Sequence, residues 1–371
     1  MKLFQQISRI EKLDSAEDFV REYEIGKGDF ILASRTIYDK YFKPLGVEAC
    51  VKYKDSYGQG EPTDSMMDAL AADFRCSGCT RITAIGGGAV IDMAKLLVLD
   101  GEASVKDIFQ KRAALKKKYP LIAVPTTCGA GSEVSNVSIA EMTGLHSKLG
   151  LAADELYPDH AVLIPQLLSE LPYAFWATSA IDAFIHAIES FVSPKANLYT
   201  ELFSKKAMEI IIDGFRRVAV DGPDARGGLM DEFLTASNLA GIAFGNAGTG
   251  AVHAMSYPLS GVYHVTHGEA NYQFLTAVFS AYQRFRPEGR LKELNVFLAG
   301  MLDCGQEEVY TVLKNLLDKI MKRKPLREYG MKKEEIESFA KNVEASQQRL
   351  LGQSYVKFSW EQMAEIYSQL Y

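Results

Sequence analysis

Hydrophobic periodicity divides this chain of 371 residues near residue 172. Upstream, short apolar runs alternate with helical patterns. DFILAS at 29–34, CVKYK at 50–54, RITAIGG at 81–87, PLIAVPTT at 120–127, KLGLAA at 148–153 and HAVLIP at 160–165 read as strands. Strands separated by helices imply a parallel sheet with helices on its faces. Downstream, strand signals almost vanish. Amphipathic stretches at 173–192, 198–219, 229–246, 270–285, 290–300, 306–321, 333–351 and 360–370 take over. Leu171-Pro172 marks the change, because a proline disfavours helix at the residue before it. We therefore expect an α/β domain over 1–175 and an all-helical domain over 176–371. VDGPDARGG at 220–228 reads as a loop between helices.

The helical half carries one metal-like constellation. Asp182 and His186 sit four apart in AIDAFIHAIES, which stacks them on one helix face a turn apart. His253 and His267 bracket a segment broken by Gly and Pro. Three imidazoles and a carboxylate suit Fe(II) or Zn(II) and can leave room for an alcohol or carbonyl oxygen. Half of the chain's six histidines fall in this pattern. Glu189 lies three residues after His186 on the same face, where it is either a partner orienting a ligand or an uninvolved carboxylate.

Two turns in the first half suit a phosphate. Gly86-Gly87-Gly88 joins a strand to a helix, where bare backbone and free N–H groups favour an anion. The spacing is not the GxGxxG dinucleotide fingerprint. PTTCGAGSE at 125–133 follows a buried strand and brings hydroxyls to its carboxyl end, where open α/β sheets place ligands. Each turn alone has a structural reading, as a tight connection or a helix cap.

Composition excludes several classes. A net charge of −6 argues against a nucleic-acid surface. The basic run KRAALKKKYP at 111–120 reads as a solvated helix end before a strand. Five scattered cysteines lack framework spacing, which suggests a reducing compartment, and Cys76 and Cys79 form a lone CxxC pair. MKLFQQISRI has no signal-peptide core and no run reaches membrane-span length. A cytoplasmic protein without nucleic-acid or membrane partners is expected.

Taken together, these motifs resemble the iron-containing (group III) alcohol dehydrogenase family. GGGAVIDMAK is similar to that family's GGGSxxDxAK, PTTCGAGSE to PTTxGTGSE, and SAIDAFIHAIE to its DxxxHxxE helix. AVHAMSYPLSGVYHVTHGEAN resembles its HxxxHPLxxxxxxxHG segment. The resemblance implies the dehydroquinate synthase-like architecture: a nucleotide-binding first domain, a helical metal-binding second domain, and cofactor in the cleft between them. It implies Asp182, His186, His253 and His267 as ligands, Gly87, Gly88 and Ala89 along the pyrophosphate, Thr126 and Thr127 near the diphosphate or nicotinamide, and Lys148 at the cofactor ribose. It also implies a homo-oligomer, with a dimer as the simplest case. The family's departures here are Ala89 for a serine, Ala130 for a threonine and Tyr257 for a histidine. Ser34 stands where NAD-preferring members often carry Asp, and Arg35 follows it, so NADP use stays open beside NAD.

A narrower resemblance is to the family's 4-hydroxybutyrate dehydrogenase branch. KYKDSYGQGEPTDSMM, ESFVSPKANLYT, AGIAFGNAG, GVYHVTHGEANYQF and KPLREYGM carry it. It implies interconversion of 4-hydroxybutyrate and succinate semialdehyde with NAD and a divalent metal, Fe2+ ahead of Zn2+. Propanediol, butanol and lactaldehyde dehydrogenases of the same family, and a dehydroquinate synthase-like lyase, are the competing readings. A substrate carboxylate needs a cationic or hydrogen-bonding partner. His264 is the first candidate, with Tyr263, Tyr257 and Asn246 behind it, and Tyr257 is a further candidate as a hydrogen-bond donor in the reaction.

Overall fold

The computed structural model describes residues 2–145 and 147–371. It divides into two compact units. One comprises Gln6–Leu171. The other comprises Pro172–Tyr371 together with the chain's first residues up to Gln5. His146, a histidine outside the metal pattern that is expected at the surface or a strand end, lies outside the described residues.

The first unit contains strands β1 (Arg9–Lys12), β2 (Asp29–Ala33), β3 (Cys50–Tyr53), β4 (Arg81–Gly86), β5 (Leu121–Pro125), β6 (Val137–Met142), β7 (Ser147–Ala152) and β8 (His160–Leu163). Its helices are α1 (Ala16–Glu22), α2 (Arg35–Tyr41), α3 (Asp64–Ser77), α4 (Gly88–Leu97) and α5 (Val105–Phe109). Six strands form a sheet in the order β1-β8-β5-β4-β2-β3, every pair parallel. The chain runs from β2 outward to β3, then returns to β4 and proceeds through β5 to β8. The strand order therefore reverses between β2 and β4, and such a reversal opens a ligand crevice at the carboxyl ends of the two strands. β2 and β5 are buried at every residue, the pattern of strands covered on both faces. Phe30, Leu32, Ile82, Ala84, Met93 and Leu97 share one core with Leu70 and Phe74 of α3.

Sequence reasoning overlooked two strands. β1 (RIEK) has no apolar alternation because three of its four residues are exposed. β6 pairs antiparallel with β7 as a separate hairpin, in register from Val137↔Ala152 to Met142↔Ser147. The basic run at 111–120 is not helical. It follows α5 through Lys111, whose φ of 57° lies in the left-handed region, and leads into β5.

The second unit is helical: α6 (Tyr173–Val192), α7 (Leu198–Asp221), α8 (Met230–Ala247), α9 (Ala251–Tyr263), α10 (His267–Phe285), α11 (Gly289–Leu302), α12 (Val309–Ile320), α13 (Ile336–Ser346), α14 (Gln348–Leu351) and α15 (Trp360–Leu370). α6 begins directly after Pro172, and its residues from Ala180 to Val192 are all buried. A helix apolar all round must lie inside others. Trp176 packs edge-on against Phe215 of α7 and Phe233 of α8. Asn197 caps α7 in a reciprocal box with Thr200. The N-terminal segment is tied to this unit by Gln5, whose N–H donates to Asn246 Oδ1 at 2.7 Å while Asn246 Nδ2 donates to Gln5 O at 3.0 Å. The stretch at 220–228 is more ordered than a loop, since Pro223–Leu229 forms a 3-10 helix. No helix among the described residues is long and apolar enough to cross a membrane.

Candidate metal centre and cofactor turns

α6 carries Asp182 and His186 on one face, α9 carries His253, and His267 opens α10. One donor atom from each of the four lies within 4.8 Å of all the others. A tetrahedral ion with bonds near 2.1 Å has ligand–ligand edges of about 3.4 Å, so an inward shift of roughly 1 Å closes the set. Asp182, His186 and His253 are buried and His267 is half-buried. The His186 ring stacks on Phe244 at 4.3 Å and on His253 at 4.8 Å.

Two observations favour a cation here. His253 Nε2 is buried without a hydrogen-bond partner among the described residues and lies 4.0 Å from Asp182 Oδ1. An orphaned imidazole nitrogen beside a carboxylate is costly unless something electrophilic sits between them. Burial pushes the Asp182 carboxyl up, but the imidazoles of His186, His267 and His253 outweigh it and hold the group below its ordinary value.

The supporting partners are specific. Glu189 Oε2 lies 2.6 Å from His253 Nδ1, and Glu189 Oε1 accepts from the Val252 N–H at 2.8 Å. With Nδ1–H donated to Glu189, His253 presents a bare Nε2 to the cluster. Of the two sequence readings of Glu189, the orienting one matches this contact. Asn271 is a residue that sequence reasoning missed. Its Nδ2 donates to Asp182 Oδ1 at 2.7 Å, and its Oδ1 accepts from Ser256 Oγ at 2.5 Å. Gly268 permits the approach of α10, because a Cβ there would stand 2.5 Å from the Thr178 carbonyl oxygen.

In the other unit, Gly87 is the N-cap of α4 and the glycine turn ends β4. A Cβ at Gly88 would come within 2.7 Å of Ala130 Cβ, and one at Gly87 within 3.3 Å of Thr127 Cγ2. The two turns predicted from sequence thus pack directly on one another, and the glycines leave a cradle that side chains would fill. Thr126 donates its N–H to Gly86 O at 3.1 Å. Asp92 and Lys95 of α4 fix the chain just beyond the second turn, where it enters β6. Lys95 Nζ donates to Asp92 Oδ1, Ser135 Oγ and the Val137 carbonyl, while Asp92 Oδ2 accepts from the Ile139 N–H. Lys148 on β7 is buried, and its ammonium has no hydrogen-bond partner among the described residues; Glu61 Oε1 stands 3.9 Å away. A buried ammonium with donors to spare points to a missing polar ligand.

Residues 8–165 match the family model described as iron-containing alcohol dehydrogenase. Residues 176–371 match the model of the C-terminal part of the Fe-containing alcohol dehydrogenase family. The chain belongs to the iron-containing alcohol dehydrogenase family. It is 48% identical over 371 residues, the whole of both chains, to 4-hydroxybutyrate dehydrogenase of Clostridium kluyveri. It is 32% identical to long-chain-alcohol dehydrogenase 1 of Geobacillus thermodenitrificans, over 74% of this chain and 70% of that one. Among solved structures, the iron-containing alcohol dehydrogenase of Thermococcus thioreducens superposes with a TM-score of 0.85 at 25% identity, covering 99% of each chain. A 1,3-propanediol oxidoreductase at 22% identity and TM-score 0.86, covering all of both chains, shares the fold.

Membership makes this iron-type dehydrogenase an oxidoreductase that works with NAD(H) and a divalent metal. Its remaining predicted site residues separate into two groups. Tyr257 is buried on α9, its ring centroid 6.4 Å from that of His267. Ala89 and Thr127 flank the glycine turn. The other group is engaged elsewhere or stands apart. Tyr263 donates its hydroxyl to Glu335, and Asn246 is bonded to Gln5. His264 is exposed and ends α9 in the left-handed conformation, with φ of 54°. It is outside the four-residue cluster.

Proposed function

We propose that this protein is an NAD-dependent 4-hydroxybutyrate dehydrogenase using Fe2+. The alcohol 4-hydroxybutyrate and NAD+ give succinate semialdehyde, NADH and a proton, and the reaction runs in both directions. The observation that carries the reading is the 48% identity to a 4-hydroxybutyrate dehydrogenase across the full length of both chains. The donor cluster of Asp182, His186, His253 and His267 supports it independently.

When bound, the ion supplies Lewis acidity to an alcohol or carbonyl oxygen and the nicotinamide accepts or returns the hydride. The chain's own residues hold and aim these groups. The three imidazoles and the Asp182 carboxylate grip the ion, while Glu189 and Asn271 fix the orientation of His253 and Asp182. Gly87, Gly88 and Ala89, with Thr126 and Thr127, take the diphosphate at the α4 N-terminus. Lys148 donates to the cofactor ribose. Tyr257 donates a hydrogen bond near the reacting oxygen, and His264 meets the substrate carboxylate. The five thiols, none in a disulfide, accord with a cytoplasmic setting, and a homodimer is the expected assembly.

The test is kcat/KM with NAD after anaerobic loading with Fe2+ or Zn2+. A preference for 4-hydroxybutyrate over 1-butanol and 1,3-propanediol of at least about tenfold is expected, one charge-assisted contact's worth. Equal or better turnover of the uncharged alcohols overturns the substrate assignment. In His264→Ala the preference should collapse; an unchanged ratio removes His264 from carboxylate recognition.

A further inference from the structure

We propose that Asp55 makes this dehydrogenase select NAD(H) over NADP(H), by occupying the Arg35 guanidinium that a 2′-phosphate would otherwise engage. The inference rests on the dinucleotide reading above and names the residue that sets its specificity.

The placement follows from the sheet. β2 and β4 flank the reversal of strand order, and they pair in register through Ala33↔Ile85. The next residue, Ser34, donates its N–H to Ile85 O at 2.8 Å, so Arg35 begins α2 immediately beside the Gly86-Gly87-Gly88 turn. In sheets of this kind the phosphates lie on the glycine turn. The adenosine ribose is read by side chains near the end of the neighbouring strand, where an acid receives the 2′-hydroxyl and an arginine receives a 2′-phosphate. Arg35 taken alone would therefore favour NADP(H).

Arg35 is not alone. Its Nε and Nη2 donate to the two carboxylate oxygens of Asp55, each at 2.8 Å. Its guanidinium carbon lies 4.0 Å from the ring centroid of Tyr53, and Tyr53 is itself anchored by its hydroxyl to Asp39 Oδ1 at 2.8 Å. Asp55 is two residues past the end of β3, whose Tyr53 pairs with Ala33 of β2. The carboxylate grips the guanidinium fork in the same two-pronged way a phosphate would. An incoming 2′-phosphate must displace Asp55 or sit against its negative charge. A 2′-hydroxyl meets neither obstacle and finds the carboxylate an acceptor.

The experiment is equilibrium titration of the full-length protein with NADH and with NADPH, followed by dihydronicotinamide fluorescence, in wild type, Asp55→Asn, Arg35→Ala and the double variant. Asp55→Asn should lower the ratio of the NADPH to the NADH dissociation constant by at least about tenfold, the worth of one charge-assisted bond. The double variant should lose most of that gain. An unchanged ratio in Asp55→Asn, with NADH still bound by wild type, overturns the inference alone. An equal gain in the double variant overturns it too, because simple removal of negative charge would then suffice. Failure of wild type to bind either dinucleotide overturns the inference and the functional reading together.

Discussion

Replacing Glu189 with glutamine probes how His253, a proposed metal ligand, is held. The carboxylate receives two donors on separate oxygens, His253 Nδ1–H and the Val252 N–H. An amide of the same size has one acceptor oxygen and one donor nitrogen. If the oxygen faces Val252, the amide N–H confronts Nδ1, and the imidazole must shift its proton to Nε2. That shift removes the lone pair aimed at the cluster. If the oxygen faces His253, the Val252 N–H is left buried against a donor. To keep the Nε2 lone pair free for an ion, either arrangement must forfeit one hydrogen bond to a charged group, about 1.5–3 kcal/mol. Expressed as metal binding, this is about 10- to 100-fold weaker affinity, the usual range for losing such an orienting partner. The assay is anaerobic competition of Fe2+, and separately Zn2+, against a chromogenic chelator. Thermal unfolding of the metal-free proteins runs alongside to show that the fold is kept. Metal affinity within twofold of wild type, in a folded Glu189→Gln protein, refutes the assigned role.

Three further outcomes follow from the geometry. Gly268→Ala sets a Cβ 2.5 Å from the Thr178 carbonyl oxygen, backbone that cannot rotate away, so α10 must move off α6. Chemical denaturation should show a loss of about 1–3 kcal/mol together with weaker metal binding; wild-type behaviour in both would mean that the close approach does not position His267. Lys148→Met removes a buried ammonium that makes no hydrogen bond among the described residues and only a long ion pair to Glu61 at 3.9 Å, so stability should change little while the NADH dissociation constant increases about tenfold; unaltered NADH binding removes Lys148 from the cofactor site. In metal-free protein Asp182 has a folded pKa below the ordinary 3.8. A depressed carboxylate contributes stability that is present above its unfolded value and lost as pH falls through the folded one. The stability gap between wild type and Asp182→Asn should therefore not shrink between pH 7 and 5 and should close only below 3.8, and a gap already closing above pH 5 contradicts this.

Much of the site was legible because it is local. Asp182 and His186 belong to one helix whose apolar run begins at a proline, so spacing alone predicted their shared face. Both candidate phosphate turns announce themselves by glycine and hydroxyl content. The segment carrying His253 was harder. Pro258 and Gly261 suggest broken chain, yet Ala251–Tyr263 is a helix with Pro258 inside it. Asn271 was invisible because its partner Asp182 is 89 residues away. The same holds for the bonds from Lys95 to Ser135 and Val137, 40 and 42 residues on. β6 does alternate, but its buried positions are Ser138, Ala140 and Met142, of which the first two carry almost no hydrophobic signal. Long-range polar pairing and small buried side chains leave no periodic trace along a chain.

The four side chains of the candidate metal site are not equivalent in their access to water. Asp182, His186 and His253 are 4–6% exposed as side chains, whereas His267 is 31% exposed. Three walls of the cage are closed and one opens on solvent. In the proposed metal site, the His267 side is then the expected route by which an ion enters and departs. On that reading the rate of metal exchange should follow how firmly the first turn of α10 is seated, and substitutions around Gly268 should alter how long an ion stays before they alter which ion is preferred.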